Sequence, residues 1–412
     1  MNDMTTPINI RNLNNIQESK PVTQRRFIST QGVDRVEKIG KTNPMEKPTT
    51  MLLSMLRGAL SDDPVDMEVF KGSNYADWAK MLDIANEASV TGMALDATNK
   101  MPKGTIPKCI EIKMAKVQRE AEIRHGEQEK ILGDLTEMYA KHGIETIQLK
   151  GVGFSMNYPE PTRRFGGDID IFTRLKGTET ASLGHSNSYG IVDDIMAEMG
   201  LEVEDHHASP KTKHSEFDYN GVRIENHRYF INKECMPEAN ILDNFLHKSL
   251  NPHEQILPHG TKILVPSKEF NSVFIAHHAF QHYVFGGIDL HHLTDWAMHI
   301  KENGLQLPPE TKGTNFEKFT YALTNLSNRY LGTNVKVPED KKYEDAIFKT
   351  ILHPEVEAPP EGMNKLEILM YKTRRFFSRT LQTSKYTGEP VMTTILKTIV
   401  SKIHNSSTLF KL

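Results

Sequence analysis

Three carboxylates and a lysine carry the chemistry available to this sequence. Asp168 and Asp170 lie in the run Gly167-Asp168-Ile169-Asp170-Ile171, which alternates as a β-strand does. Alternate residues of a strand share a face, so the two aspartates project one way and Ile169 and Ile171 the other. Like charges this close repel unless a cation or a shared proton relieves them. Taken alone, the pair reads equally as two solvent-facing carboxylates on an edge strand. With a third carboxylate, such a pair can bridge two Mg²⁺ or Mn²⁺ ions about 3.5–4 Å apart, aligning an attacking oxygen with a nucleotide phosphate. Glu225 offers that third carboxylate, on a strand whose other face carries Val222 and Ile224. Lys150-Gly151 ends an apolar run, Ile144 to Leu149, and opens a helix. Backbone N–H groups at such a turn attract phosphate, and Lys150 adds a point charge. Arg164 and the Gly166-Gly167 approach precede the aspartates, where a guanidinium would reach a triphosphate oxygen.

The elements that must position these residues follow from periodicity. Residues 1 to 48, rich in Asn, Thr, Gln, Pro and charge, bury too little to order themselves and read as a flexible arm. Apolar residues at helical spacing begin near Thr50, and a second helix starts after Ser73. A long charged helix, or two, runs from Ile106 to Ala140 and stops at Gly143. The first strand spans Ile144 to Leu149, and a loop is expected over 173–190, then a helix from Ile191 to Met199. Asn220-Gly221 between two alternating arms is a strong signal for a two-residue hairpin turn. Helices return at Phe270–Val284 and Asp289–Ile300, separated by Gly286-Gly287, and again at 315–331 and Tyr343–Leu352. The division expected is an arm (1–48), a helical cap (49–142), an α/β core (143–265), a helical domain (266–355) and a basic helical tail (356–412). The fold class is therefore α/β (α+β), a small mixed sheet with helical regions before and after it.

Composition narrows the partners. A net charge of −3 gives no global signature of a nucleic-acid binder, so stable nucleic-acid binding is not indicated. No apolar run reaches the roughly 18–20 residues of a membrane span, and the N-terminus has no secretory pattern. Cys109 and Cys235 lie far apart, without metal or redox spacing, as befits a reducing, cytoplasmic compartment. From Leu366 onward eight Lys or Arg face two Glu, which reads as a solvated helical face more than a membrane contact.

Leu149-Lys150-Gly151, Tyr158-Pro159-x-Pro161, Arg164 and Gly167-Asp168-Ile169-Asp170-Ile171 together resemble a bacterial family of uncharacterised nucleotidyltransferases in the DNA polymerase β-like superfamily. The resemblance extends over roughly residues 50 to 330, from Asp77-Trp78 to Gly286-Gly287-Ile288-x-Leu290 and Asp295-Trp296. It implies a nucleotidyltransferase core in which Lys150-Gly151 stands in place of the usual Gly-Ser turn. Asp168 and Asp170 would be the metal pair and Glu225 the third acidic residue. Lys150, Gly151, Arg164 and Gly167 would hold the triphosphate. His291 departs from the pattern, standing where similar sequences carry Arg. The implied reaction is Mg²⁺- or Mn²⁺-dependent transfer of a nucleotidyl group from NTP to an acceptor hydroxyl, with release of pyrophosphate. The resemblance leaves the acceptor open among a sugar, a small molecule, a protein and an RNA end.

Two other readings compete. One is a nucleotide- or partner-binding module that keeps the fold without turnover. The other is a His/Asp metal phosphohydrolase built on His277, His278 and His282 of one helix and His291, His292, Asp295 and His299 of the next. The adjacent His-Asp dipeptide on which such hydrolases rely is absent, so a polar helix face with packed histidines is the simpler account. His227, two residues past Glu225, shares its face and could line the same cleft.

Overall fold

A computed structural model describes residues 45–177, 188–204, 213–231, 236–353, 363–388 and 390–395. Residues 1–44 of the expected arm, His206-His207, Cys235 and the chain beyond Ile395 lie outside the described residues. Helix α1 (Lys47–Leu60) begins three residues before the expected Thr50, with Pro48 in its first turn, where a missing N–H costs nothing. Helix α2 (Tyr75–Glu87) is capped by Asn74, whose side chain accepts from Ala76 and Asp77 while Asp77 reaches back to the Asn74 N–H. Such a box is worth about 1 kcal/mol of helix stability. Asp77 is thus a capping residue, and its neighbour Trp78 is buried against Phe70, their rings 5.3 Å apart. Helix α3 (Thr91–Ala97) and the long α4 (Lys108–Ala140) complete the N-terminal helices.

A seven-stranded mixed sheet follows. Its strands are β1 (Ile144–Gln148), β2 (Asp168–Leu175), β3 (Val203–Glu204), β4 (His214–Tyr219), β5 (Val222–His227), β6 (His253–Ile256) and β7 (Lys262–Val265), in spatial order β3-β4-β5-β2-β1-β7-β6. The short α5 (Gly151–Ser155) connects β1 towards β2, and α6 (Ser188–Glu198) precedes β3. β2 is antiparallel to β1 and parallel to β5, with Asp170 opposite Glu225 and Asp168 opposite Arg223. It runs to Leu175, into the stretch expected as loop, because Thr173, Arg174 and Leu175 pair with Thr146, Glu145 and Ile144. The predicted hairpin forms, with Asn220 and Gly221 at φ 51° and 81°, the positive values a type I′ turn requires. β6 and β7 add a second hairpin that the sequence reading did not expect.

Each sheet face has its own cover. Ile169, Ile171, Phe217, Val222 and Ile224 pack with Leu132, Leu135 and Tyr139 of α4 and Val192 and Met196 of α6. Ile147 and Phe172 point the other way, into a larger core shared by helices from both ends of the chain. That core includes Met51, Met55 and Leu56 of α1, and residues of α7 (Ala239–Ser249), α8 (Lys268–Gln281), α9 (Leu290–Asn303), α10 (Asn315–Leu331) and α11 (Lys341–Leu352). Fully burying one large aliphatic side chain stabilises by about 1.5–3 kcal/mol. By the strand alternation, Asp168 and Asp170 share the face of Phe172, towards the C-terminal helices. Helix α12 (Lys365–Thr387) bears Tyr386 against Tyr283, and its Gln382 amide donates to the Tyr283 carbonyl at 2.6 Å. Among the described residues, no helix is long and apolar enough to cross a membrane.

Candidate active site

The parallel register of β2 and β5 assembles the carboxylates. Asp168, Asp170, Glu225 and His227 all stand on one face, whereas Asn226 turns to the other and donates to Asp193 of α6 at 3.0 Å. Asp170 is 2% exposed and is gripped from two sides. Lys150 Nζ lies 3.1 Å from its Oδ2, and His227 Nε2 lies 3.0 Å from its Oδ1. The same His227 nitrogen is 3.4 Å from Glu225 Oε2, and His214 Nδ1 approaches that oxygen at 3.7 Å. His214 pairs in turn with Glu216 at 2.9 Å, extending the polar face across β4.

The electrostatics of the two aspartates diverge. Burial pushes the Asp170 carboxyl up, but the Lys150 ammonium and the His227 contact outweigh it and hold it far below the usual range. Asp168 goes the other way: the charge of Asp170, then burial, raise it, and Lys150 offsets only part. Glu225 is lowered, because its hydrogen bond to His227 and the nearby rings overcome burial. Burial alone would pull Lys150 down, yet Asp170, Asp168 and Glu225 together keep its ammonium charged. Three carboxylates around one lysine form a site with surplus negative charge and hard oxygen donors, which suits Mg²⁺ or Mn²⁺.

The Lys150-Gly151 turn is held by its neighbours. Gly151 has φ +67°, and a Cβ there would sit 2.6 Å from Gln148 Nε2. Gln148 Oε1 accepts the Gly153 N–H at 2.8 Å, so one of the amides opening α5 already has a partner. Arg164 is 5% exposed and all three of its nitrogens are engaged. Nε and one terminal nitrogen reach the two oxygens of Asp295 at 2.8 Å each, and the other donates to the Gly151 carbonyl at 3.1 Å. Tyr158 donates to the same Asp295 at 2.6 Å. His291 Nε2 sits 3.3 Å from Arg164, and burial holds its ring down at about 4. Gly167 is exposed, and a Cβ there would meet nothing within 4 Å, so no crowding demands glycine at that point.

The structure therefore brings Lys150, Asp168, Asp170, Glu225 and His227 together, and sets Arg164 behind the Gly151 turn. Sequence reasoning missed His214 and Lys213, whose charge bears on Asp170 and on His278. Strand alternation counted back through the hairpin would have found His214, which is opposite His227. The tie from Tyr158 and Arg164 to Asp295 spans more than 130 residues and leaves no local signal.

A mixed sheet thus presents three carboxylates beside a lysine at a strand-end turn. The family model described as "Uncharacterised nucleotidyltransferase" matches residues 74–332, and the chain belongs to that family. Among solved structures, an antigenic nucleotidyltransferase-like protein from Paracoccidioides brasiliensis is 12% identical, with 54% of this chain and 96% of that chain covered and a TM-score of 0.29. No curated protein matches it.

Proposed function

We propose that the protein transfers a nucleotidyl group from an NTP to an acceptor hydroxyl, with Mg²⁺ or Mn²⁺ as cofactor and pyrophosphate as the leaving product. The observation that carries this reading is the in-register pairing of Asp170 with Glu225 on adjacent parallel strands, with Asp168 on the same face. The residues fit a divalent cation: the raised carboxyl of Asp168 signals repulsion from Asp170 that a cation at the pair would relieve. Asp168, Asp170 and Glu225 would hold the metal. Bound there, it would neutralise phosphate charge and polarise the reacting oxygens.

The protein's own groups do the rest. Lys150, kept charged by three carboxylates, offers an ammonium to a phosphate oxygen at the mouth of the turn. His227 fixes Asp170 through Oδ1 and so orients the carboxylate. Glu225, held ionised beside His227, can accept the proton of an attacking hydroxyl. Arg164 spends its guanidinium on Asp295 and the Gly151 carbonyl. We therefore assign it to holding the phosphate turn in place, and assign the exposed backbone at Gly167 to the open side of the cleft. The acceptor is a hydroxyl on a sugar, a small molecule, a protein or an RNA end.

The test is incubation of the full chain with α-labelled NTP, Mg²⁺ and cell extract, against Asp168→Asn and Asp170→Asn. Loss of label transfer by at least about 100-fold in each variant is expected, the scale of removing an electrostatic stabiliser of the transition state. Transfer that survives both substitutions would sink the assignment. Tight NTP binding by the wild type with no transfer to any acceptor would instead favour a binding module.

A further inference from the structure

Beside the carboxylates lies a second cluster that the transfer reaction does not use. His278 is in the last turn of α8, His282 opens the π-helical turn His282–Gly286, and His292 is in the first turn of α9. One ligand nitrogen from each lies within 4.8 Å of the other two. The His278 and His282 rings stack at 4.6 Å, and His282 and His292 are 4.4 Å apart. We propose that His278, His282 and His292 form a three-imidazole site for a transition-metal dication of the Zn²⁺ class, separate from the carboxylate site.

Several observations converge on it. Asp289 Oδ1 lies 2.8 Å from His292 Nδ1, an arrangement that leaves Nε2 of the ring as the ligating atom. A carboxylate behind an imidazole both orients the ring and raises its basicity as a ligand. Burial, chiefly, holds His278 and His282 below the ordinary imidazole range, His282 at about 3, and at His278 a metal would compete with the Lys150 ammonium. His278 Nε2 already meets a cation, since Lys150 Nζ donates to it at 2.8 Å. Ligation at zinc–nitrogen distances of about 2.0–2.1 Å would draw the three nitrogens inward by up to about 0.7 Å. Side-chain rotation in a π-helical turn can supply that, and such turns recur at functional sites. Imidazole selects Zn²⁺, Co²⁺ or Ni²⁺ whereas carboxylates suit Mg²⁺ and Mn²⁺, so the two sites would sort different ions.

The charges around the cluster set its cost. Lys150 and Lys213 face it with positive charge, and Asp289 opposes them. An ion on His278 would displace the Lys150 ammonium, whose remaining partner is Asp170. Three protein nitrogens leave the fourth position of a tetrahedral ion for water or a substrate oxygen.

The full chain, stripped with chelator, would be titrated with Co²⁺ by visible absorption and then challenged with Zn²⁺. One equivalent of intense tetrahedral absorption is expected, displaced by Zn²⁺, retained in Asp168→Asn and lost in His282→Gln. Asp289→Asn should weaken binding about 10–100-fold. Lys150→Met should tighten it about tenfold, by removing a competing cation at short range. Only weak octahedral absorption, abolished by Asp168→Asn, would overturn the proposal, as would a tetrahedral band that survives His282→Gln. If His282→Gln does not fold by circular dichroism, the Lys150→Met arm decides: unchanged or weaker Co²⁺ binding there refutes the site.

Discussion

Asp168, at the centre of the sheet, is placed against the preference of the fold. Asp168 has its carboxyl raised, by Asp170 first and burial second. A carboxyl raised on folding binds its proton more readily in the native state, so stability falls as pH climbs above its ordinary value near 3.8. At neutral pH its charge therefore works against folding unless a cation is present. We expect Asp168→Asn to melt at a higher temperature than wild type in chelator. Mg²⁺ should raise the melting temperature of wild type and leave that of the variant unchanged. Calorimetry reads both, and a lower-melting variant in chelator would contradict the account. At this scale the sequence was informative because strand alternation is local. It placed Asp168 and Asp170 on one face of their strand, and Glu225 with His227 on one face of another. It could not show that His227 would close on Asp170, a contact made across 57 residues.

The turn joining β1 to α5 is the element on which the cleft depends. Gly151 sits in the left-handed region, with Gln148 filling the space a side chain would need. Gly151→Ala should lower stability in urea unfolding by about 1–2 kcal/mol from backbone strain alone. It should also push Gln148 off the Gly153 amide and raise the KM for NTP. Unchanged stability would mean the turn relaxes without strain. Elements closed by their own residues were legible: the Asn220-Gly221 hairpin, the Gly stop of α4, the two helices flanking Gly286-Gly287. The β6–β7 hairpin was not. Its strands are four residues each and β6 is mostly exposed, so it has little alternation to read. The parallel pairing of β2 with β5 was equally silent, because it depends on segments some 50 residues apart finding one register.

Across the whole molecule, Arg164 and Asp295 tie the sheet side of the cleft to the helices behind it. Both are buried, and the pair is bidentate, with Tyr158 closing on the same carboxylate. Arg164→Ala would strand a buried carboxylate and should cost about 3–5 kcal/mol, measured by denaturant unfolding. Burial pushes Asp295 up, but Arg164 overcomes it and holds the group well below its ordinary 3.8. A lowered carboxyl contributes stability above its unfolded value and loses it as pH falls further, so this contribution fades below about pH 4. An Arg164→Met, Asp295→Asn double variant should lose stability less steeply on acidification; an equal slope would remove the pair from the acid response. None of this was legible beforehand, since Arg164 was expected to face a phosphate. Only the folded chain shows a buried partner that answers both arms of its guanidinium.

Trp296 follows Asp295 in the chain, is fully buried, donates its indole N–H to Thr324 at 3.0 Å and stacks near His299. Trp78, the other tryptophan of the two, lies far along the chain in α2. The protein thus carries its own optical reporter one residue from the clamp behind the cleft. Strain transmitted through Arg164 when the cleft fills would register as a change in indole emission, and Trp78→Phe would leave that signal on a dark background.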